Sequence, residues 1–414
     1  MAKKSILEID DLADKYQDVP RFIILKLDLN RRGTRLTKRA AEALQASEER
    51  GLGRTSVLLL SPQKKKPATA HSGNLILRDG TSALDSFEND PYTVDYRDEK
   101  FFLFDKGKKI DEVDFTPRPK YYGKKTSRGV FMETVATCRA QRFEICAYRH
   151  CHYWETGHQC KYCAFFTGLS EVRKAAGGDF QREHDPEDIY ETVRAALEEP
   201  GRISEIYLTA GMDYSGNPLF ENDVNRYIKV LQAIGRNFKG RFSSQIMAPA
   251  YSKEQLRRIY EETGVTSYCP NIEVWDKHLF EWICPGKNKW PGRTQWINRT
   301  LDAVEIFGKG NVYTQVLVGV ELAEPYGFKT TDEALKSNLE ACEFFSKRGV
   351  VFLSKVWQPH LRSAFAGQKP TSLEYCVRLV RDFHDIRKAY GLTSDNDDYK
   401  HCGNHADSDL ERMD

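Results

Sequence analysis

The sequence predicts an α/β protein whose main domain is a partial, TIM-like (β/α)6 barrel, preceded by a helical and antiparallel β extension. From about residue 128 onward, short apolar runs alternate with amphipathic stretches, which is the pattern of βα units around a parallel sheet. Six such repeats are present, fewer than the eight of a closed barrel. An open barrel with a wide mouth is therefore expected.

The predicted strands of this barrel are short, and a helical stretch follows each of them. The strands are expected at 143–147, 203–209, 242–247, 267–275, 312–320 and 350–356. The helices are expected at 186–198, 222–234, 253–262, 296–307, 331–348 and 372–390. Asp185 before Pro186 has the form of an N-cap, and Gly264 can end the helix that precedes it.

The pattern before the barrel is different. Residues 1–50 are highly charged and helical in pieces, and the apolar run at 56–61 predicts a short strand. A period-two pattern from 74 to 115 with hairpin-type turns predicts a small antiparallel β region. The expected domains are an N-terminal extension at 1–127, the partial barrel at 128–390 and an acidic C-terminal tail at 391–414.

The composition is that of a water-soluble globular protein. Hydrophobic residues make up 40% of the chain and charged residues 29%, with a net charge of +2. This balance gives no indication of nucleic-acid binding, and no apolar run is long enough to span a membrane. The N-terminus lacks the apolar stretch of a secretion signal, which predicts a cytoplasmic protein.

Three of the ten cysteines form a compact motif directly after the first predicted barrel strand. Cys151, Cys160 and Cys163 are separated by eight and by two residues. Three thiolates suit an iron–sulfur cluster or zinc. A four-iron cluster held by three cysteines leaves one iron free to bind a substrate or cofactor. Four other cysteines stand singly in apolar contexts typical of small buried residues, namely Cys269, Cys284, Cys342 and Cys376.

Polar and glycine residues follow the later barrel strands. The carboxyl ends of parallel strands share one face of the sheet, where α/β proteins bind ligands. Glycine there allows a ligand to approach the backbone closely, and a carboxylate can bind an ammonium group or ribose hydroxyls. The candidates are Gly211 and Asp213 after the second strand, Asn271 and Glu273 on the fourth, Gly319 and Glu321 at the fifth, and Gln358 after the sixth.

The chain resembles the radical S-adenosylmethionine (SAM) enzymes over roughly residues 128–390. In that family three cysteines hold a 4Fe–4S cluster after the first strand, usually with three and then two intervening residues, and an aromatic residue precedes the last cysteine. Cys160-Lys-Tyr162-Cys163 matches the second half of this motif. Cys151 departs from it because eight residues intervene, and Cys146, inside the predicted strand, is the rival first ligand.

The resemblance implies roles for the strand-end residues. Gly211 and Asp213 stand where the family binds the amino group of SAM, and Asn271 and Glu273 where it binds the ribose or methionine part. The segment with Gly319 and Glu321 resembles the fifth-strand segment that lies along the adenine of SAM in that family. Gln358 lies where the chain leaves the sixth strand. The implied cofactors are a 4Fe–4S cluster and SAM, with reductive SAM cleavage and hydrogen abstraction by a 5′-deoxyadenosyl radical. The implied partners are a reductant such as flavodoxin or ferredoxin and an unidentified substrate.

Other readings of the motif remain open from the sequence. The three cysteines with His150, His152 or His158 could surround a structural zinc ion. The protein could also be a non-catalytic iron–sulfur binding or electron-transfer module. Cys402 and His405 have metal-ligand spacing, but a solvated terminus explains them equally, and a second cluster would have only Cys138, Cys146 and Cys402 to draw on.

Overall fold

A computed structural model describes residues 4–50, 74–84, 90–165, 181–392 and 403–412 of the 414-residue chain. The strands are β1 Thr34–Leu36, β2 Asn74–Leu77, β3 Ser82–Leu84, β4 Tyr92–Arg97, β5 Lys100–Asp105, β6 Lys108–Phe115, β7 Ala136–Arg139, β8 Arg142–Tyr148, β9 Glu205–Ala210, β10 Ser244–Met247, β11 Ser267–Cys269, β12 Tyr313–Val318 and β13 Val351–Val356.

The helices include several that are only one turn long. They are α1 Lys4–Lys15, α2 Arg21–Arg32, α3 Lys38–Ala46, α4 Met132–Val135, α5 His152–Glu155, α6 Pro186–Leu197, α7 Glu221–Gly235, α8 Lys253–Glu262, α9 Lys277–Ile283, α10 Pro285–Lys289, α11 Arg293–Phe307, α12 Thr331–Ser346, α13 Leu373–Ala389 and α14 Ala406–Asp409. No helix in the described ranges is both long enough and apolar enough to cross a bilayer.

The barrel sheet runs in the order β7-β8-β9-β10-β11-β12-β13. Strands β8 to β11 form a parallel ladder, as do β12 and β13. The two ladders are joined by parallel bridges from Tyr268 to Val312 and from Glu273 to Val316. β7 adds an antiparallel edge strand to β8. The six parallel strands curl into a half-barrel, which confirms the predicted partial barrel of six βα units.

The helices of the barrel start where their N-terminal amide groups find local acceptors. The Asp185 side chain accepts a hydrogen bond from the Glu187 N–H at the start of α6, with Pro186 in the first turn. Ser252 and Gln255 form a reciprocal capping box at the start of α8. These caps fix the strand-to-helix turns, and the predicted bounds of α8 agree with the structure.

The predicted fourth strand is shorter than expected. β11 ends at Cys269, before Pro270, which has no N–H to donate to a neighbouring strand. The chain rejoins the sheet only at Glu273, whose backbone has φ 68°. Two short helices, α9 and α10, follow where no helix was predicted. This irregular segment brings additional side chains to the mouth of the barrel.

The N-terminal sheet is larger than the predicted antiparallel region. It has six strands in the order β1-β4-β5-β6-β2-β3. The pairs among β2 to β6 are antiparallel as expected, whereas β1 pairs in parallel with β4. β1 was not predicted because three residues are too few to show a period. The strand predicted at 56–61 lies outside the described residues.

The two ends of the described chain pack against the last barrel strand. Lys26 of α2 forms a buried ion pair of 2.5 Å with Asp409. Asp407 accepts hydrogen bonds from Arg387 of α13 and from Ser354 of β13, at 2.7 and 2.9 Å. Residues 403–412 are therefore not a solvated terminus. Together with α2 they cover the side of the half-barrel next to β13.

Candidate functional site

The cysteine loop is fixed on both sides. It leaves β8 at Tyr148 and passes through Cys151 into the single turn of α5. The His152 N–H donates to the Met212 carbonyl after β9 at 2.8 Å, and the Lys161 N–H donates to the Ile283 carbonyl at the end of α9 at 2.9 Å. The loop thus bridges the second strand of the barrel and the irregular segment after β11.

Gly211 determines how closely this loop approaches β9. A Cβ atom at this position would lie 1.9 Å from the carbonyl oxygen of His150 and 2.8 Å from the Phe165 ring. The Gly211 N–H also donates to the Tyr148 carbonyl at 2.9 Å. Only glycine leaves room for this contact, so Gly211 sets the position of the residue next to Cys151.

The three thiols Cys151, Cys160 and Cys163 line one cavity of about 470 Å³. Burial raises the pKa of Cys151 to about 11, with a further contribution from the charge of Cys160. Burial likewise raises the pKa of Cys163 to about 12, and the charges of Cys160 and Cys151 add to it. The three thiols thus lie near enough for the charge of one to raise the pKa of another. A hydrogen bond with Cys284 and the charge of Lys287 lower the pKa of Cys160.

The three thiols are not all close enough together to share a single metal ion as they stand. Within the described ranges, one set of three or more possible ligand atoms lies within 4.8 Å of one another, and it consists of His150, His152 and Glu155. A tetrahedral zinc ion with Zn–S bonds of about 2.3 Å would hold its thiolates only ~3.8 Å apart. A cluster binds each thiolate through a different iron atom and needs a wider spacing. The three cysteines are not such a set, so at least one pair of their sulfur atoms lies farther apart in the structure than a shared zinc ion would hold it.

Cys146 is not placed to take part. It is fully buried within β8, pairs in the ladder with Thr209 of β9, and is outside the cavity lining. Burial raises the pKa of its thiol to about 12. Cys138 is also buried and lies on the edge strand β7. Cys402 lies outside the described residues, so its spacing with His405 is not tested.

Five of the eight other residues singled out in the sequence line the same cavity as the cysteines. They are Tyr162, Gly211, Asn271, Glu273 and Gln358. They come from the cysteine loop, the end of β9, the segment after β11 and the exit of β13. The shared face of parallel strands accounts for this convergence.

Asp213, Gly319 and Glu321 do not line the cavity. Asp213 lies behind the loop, with one oxygen 3.0 Å from His152 Nδ1 and the other accepting from Arg226 at 3.0 Å. Glu321 is buried and accepts hydrogen bonds from the Gly319 N–H at 2.9 Å, from Asn338 at 3.0 Å and from the Tyr375 hydroxyl. Burial raises the pKa of Glu321 to about 7.

Lys287 is a site residue that the sequence did not indicate. It is buried in α10, donates to Glu273 Oε1 at 2.8 Å and donates to the Asn271 carbonyl at 2.6 Å. The ammonium group therefore joins two of the predicted residues and lies close enough to Cys160 to influence its pKa. No local motif marks this lysine, because only the irregular path after β11 brings it here.

The rest of the cavity wall carries several charged and polar side chains, some of them from near both ends of the described chain. Cationic side chains that sequence reasoning missed are Arg139, Arg142, Lys355 and Arg362. Asn30 of α2 and Asn404 and His405 of the C-terminal segment also line the cavity. The lumen of the half-barrel is thus closed by elements far from it in sequence.

Comparisons with known proteins give structural likenesses only. No family model and no curated protein sequence matches this chain. HydG, a maturase of the FeFe hydrogenase, matches at 18% identity and a TM-score of 0.39, over 59% of this chain and 47% of HydG, so the match spans about half of that protein. Methylornithine synthase (PylB) matches at 15% identity and a TM-score of 0.39, over 62% of this chain and 70% of PylB.

A third solved structure matches over a larger share of the chain. It shares 14% identity with a TM-score of 0.43, over 80% of this chain and 75% of its own. Because all three TM-scores are below 0.5, the functional proposal rests on the cysteine loop and the cavity. The third structure is described as a radical SAM methyltransferase from Sphaerobacter thermophilus, and thus as a member of the family that the sequence resembles.

Proposed function

We propose that the chain is a radical SAM enzyme in which Cys151, Cys160 and Cys163 hold a 4Fe–4S cluster. The observation that carries this proposal is that all three thiols line one cavity at the carboxyl end of the parallel strands. At least one pair of the sulfur atoms lies farther apart than a single zinc ion would hold it, and three ligands would leave one iron of a cluster free for a cofactor. Bound there, the cluster would supply the electron that cleaves SAM to methionine and a 5′-deoxyadenosyl radical, which abstracts hydrogen from a substrate.

The side chains around the thiols are suited to bind SAM. Glu273 is held by Lys287 and can accept hydrogen bonds from ribose hydroxyls or an ammonium group. Asn271 lines the same cavity, and so does Gln358, which follows the exit of β13. Tyr162 lines the cavity next to Cys160, whose pKa its hydroxyl group helps to lower. Asp213 supports the cysteine loop through His152, and Glu321 holds the turn after β12 through the Gly319 N–H.

The protein's own contribution is to orient the cofactor and exclude water. Tyr153 of the cysteine loop is buried, and its hydroxyl donates a hydrogen bond to the Trp290 carbonyl at 3.0 Å. Tyr214 and Trp290 stack at a ring-centroid distance of 4.1 Å beside it. This rigid aromatic packing holds the cysteine loop in one conformation, which a reaction through a free radical requires.

The test is anaerobic reconstitution followed by a SAM cleavage assay with a chemical reductant. We expect a brown protein with about four irons per chain that releases 5′-deoxyadenosine. Cys163→Ala removes a ligand and abolishes both iron binding and cleavage. Cys146→Ala, which changes a cysteine outside the cavity, retains both. Colourless protein with tightly bound zinc would refute the proposal, and a stable cluster without SAM cleavage would favour the non-catalytic module.

A further inference from the structure

Two backbone hydrogen bonds join the cysteine loop to the segment where α9 ends and α10 begins. The Lys161 N–H donates to the Ile283 carbonyl at 2.9 Å, and the Gly286 N–H donates to the His158 carbonyl at 3.0 Å. The two segments lie so close that a Cβ atom at Gly286 would be 2.7 Å from the His158 carbonyl oxygen. As residue numbers rise in one segment they fall in the other, so the segments run past each other in opposite directions.

This pairing places Cys160 opposite Cys284. Each cysteine is next to one end of the bond between Lys161 and Ile283, and each is two residues from the other bond. In antiparallel strands the Cα atoms of opposite residues are about 4.5–5.5 Å apart, which is within the range of disulfide-linked cysteines. The Cys284 thiol also donates a hydrogen bond to the Cys160 sulfur. The two sulfur atoms are thus in direct contact.

The two thiols differ in their access to solvent. Cys160 lines the cavity and is partly exposed, whereas Cys284 is fully buried and is outside the described lining. A small oxidant that enters the cavity therefore reaches Cys160 first. Because Cys160 is also a proposed cluster ligand, its oxidation beyond the reversible stages would prevent cluster binding.

We propose that Cys284 captures oxidised Cys160 as a disulfide while the cluster is absent, and so keeps this ligand in a form that thiol reductants restore. A peroxide takes two electrons from the Cys160 sulfur, which gives a sulfenic acid and water. The Cys284 sulfur then bonds to the Cys160 sulfur, and the hydroxyl group of the sulfenic acid leaves as water with the Cys284 proton. The inference goes beyond the proposed function, because it concerns the protein without its cluster.

The first test treats iron-free, full-length protein with hydrogen peroxide, blocks the remaining thiols and digests the chain without a reductant. Trypsin separates Cys160, Cys163 and Cys284 into the peptides 150–161, 162–173 and 278–287. We expect mass spectrometry to find the first and the last of these peptides joined. Fragment ions should place the bond at Cys160 and not at Cys151, which is in the same peptide. A bond between the first two peptides in place of this one would overturn the inference.

The second test measures iron uptake after the peroxide-treated protein has been reduced with dithiothreitol. The unmodified protein should regain its full iron content on reconstitution, because thiol–disulfide exchange restores Cys160. Cys284→Ser keeps a hydrogen-bond donor but cannot form the disulfide. In this variant Cys160 should advance to the sulfinic acid, which dithiothreitol does not reduce, so it should regain less than about half the iron of the unmodified protein.

Cys342→Ser is the matched control for this variant. Cys342 is as fully buried as Cys284, but its sulfur lies 3.8 Å from the Ser346 hydroxyl and outside the described cavity lining. The control should regain iron as the unmodified protein does. Circular dichroism reports whether each variant folds, and Cys284→Ala takes the place of Cys284→Ser if the serine variant does not. The joined peptides are sought in the unmodified protein and need no variant.

Two results would overturn the inference, and both are distinguishable from failure of the proposed function. If no bond forms between Cys160 and Cys284, or if Cys284→Ser regains as much iron as Cys342→Ser, then Cys284 does not preserve the ligand, even when the reconstituted protein cleaves SAM. If the disulfide forms and Cys284→Ser loses iron as expected, but no 5′-deoxyadenosine is released, the proposed enzyme function fails and the inference stands.

Discussion

At the scale of single residues, Gly211 is the position where the site tolerates least change. A methyl group there would overlap the His150 carbonyl, so the cysteine loop would have to move away from β9. We expect Gly211→Ala to lose most of its reconstituted iron and about 1–3 kcal/mol of unfolding free energy. Iron per chain and urea-induced unfolding measure these effects.

Gly240→Ala is the matched control for this change. Gly240 has no heavy atom within 4 Å of an added Cβ and no positive φ. This variant should keep its iron and its stability. Equal iron content in the two variants would show that the approach of the loop to β9 does not position the cluster ligands.

Glu321 should make stability depend on pH. Burial raises its pKa to about 7 from an ordinary 4.5, so the folded state binds more protons than the unfolded state between these values. Its contribution to the unfolding free energy therefore falls as the pH rises from about 4.5 to 7. As the pH rises across this range, the unfolding free energy of Glu321→Gln should increase by on the order of 2 kcal/mol relative to that of the unmodified protein. Urea unfolding at a series of pH values measures the difference.

The exposed Glu324 provides the comparison for this titration. Glu324→Gln should follow the pH dependence of the unmodified protein. A parallel curve for Glu321→Gln would mean that Glu321 is charged throughout, despite its burial. Glu321 accepts a hydrogen bond from the Gly319 N–H. The outcome therefore also shows whether a charged or a neutral carboxyl group holds the turn after β12.

At the scale of secondary-structure elements, the C-terminal segment depends on a buried ion pair. Arg387 of α13 and Asp407 lie 2.7 Å apart with both side chains fully buried. Removing one charge leaves the other buried, which costs about 3–5 kcal/mol. We therefore expect Asp407→Asn to lower the unfolding free energy by about 3 kcal/mol in urea titrations.

Arg378 and Asp332 form a comparable pair at 2.8 Å, but on the surface. Their attraction is screened by water, so Asp332→Asn should cost less than about 1 kcal/mol. Similar losses in the two variants would indicate that the segment at 403–412 is not packed against β13 as the structure shows. A lower unfolding free energy in Asp407→Asn alone would support the packing of residues 403–412 against β13.

The sequence predicted elements well where local signals were strong. The Ser252 capping box and the apolar period gave α8 its observed bounds, and the cysteine loop was found because its three thiols are close in sequence. β11, α9 and α10 were not predicted correctly, because Pro270 and the left-handed Glu273 break the period that a strand would show. Lys287 was missed for the same reason.

At the scale of the whole molecule, the cavity is assembled from distant parts of the chain. Asn30 of α2 and His405 of the C-terminal segment complete a wall that begins with β7 and β8. A single sequence contains no signal for such pairing, because a contact between α2 and residue 409 spans almost the entire chain. The barrel and the strand ends that face the cavity could be predicted. The contributions of α2 and the C-terminal segment, and the cationic side chains of the cavity wall, could not.

Removal of the cluster should speed amide hydrogen exchange in one part of the molecule and leave it unchanged in another. The cysteine loop is joined to β9 and α9 through backbone hydrogen bonds at Met212 and Ile283, so its order is coupled to metal binding. We expect amide hydrogen exchange across 148–165 to rise at least ~10-fold when the cluster is removed by chelation, and the Tm to fall. Addition of SAM should slow exchange in this region only when the cluster is present.

The N-terminal sheet supplies the internal control in the same experiment. Strands β4 to β6 form their own ladder and contribute nothing to the cavity lining, so their exchange should stay the same with and without iron. Cys163→Ala should resemble the chelated protein before any chelator is added. Faster exchange throughout the chain would instead mean that metal binding stabilises the global fold, and unchanged exchange at 148–165 would place the metal elsewhere.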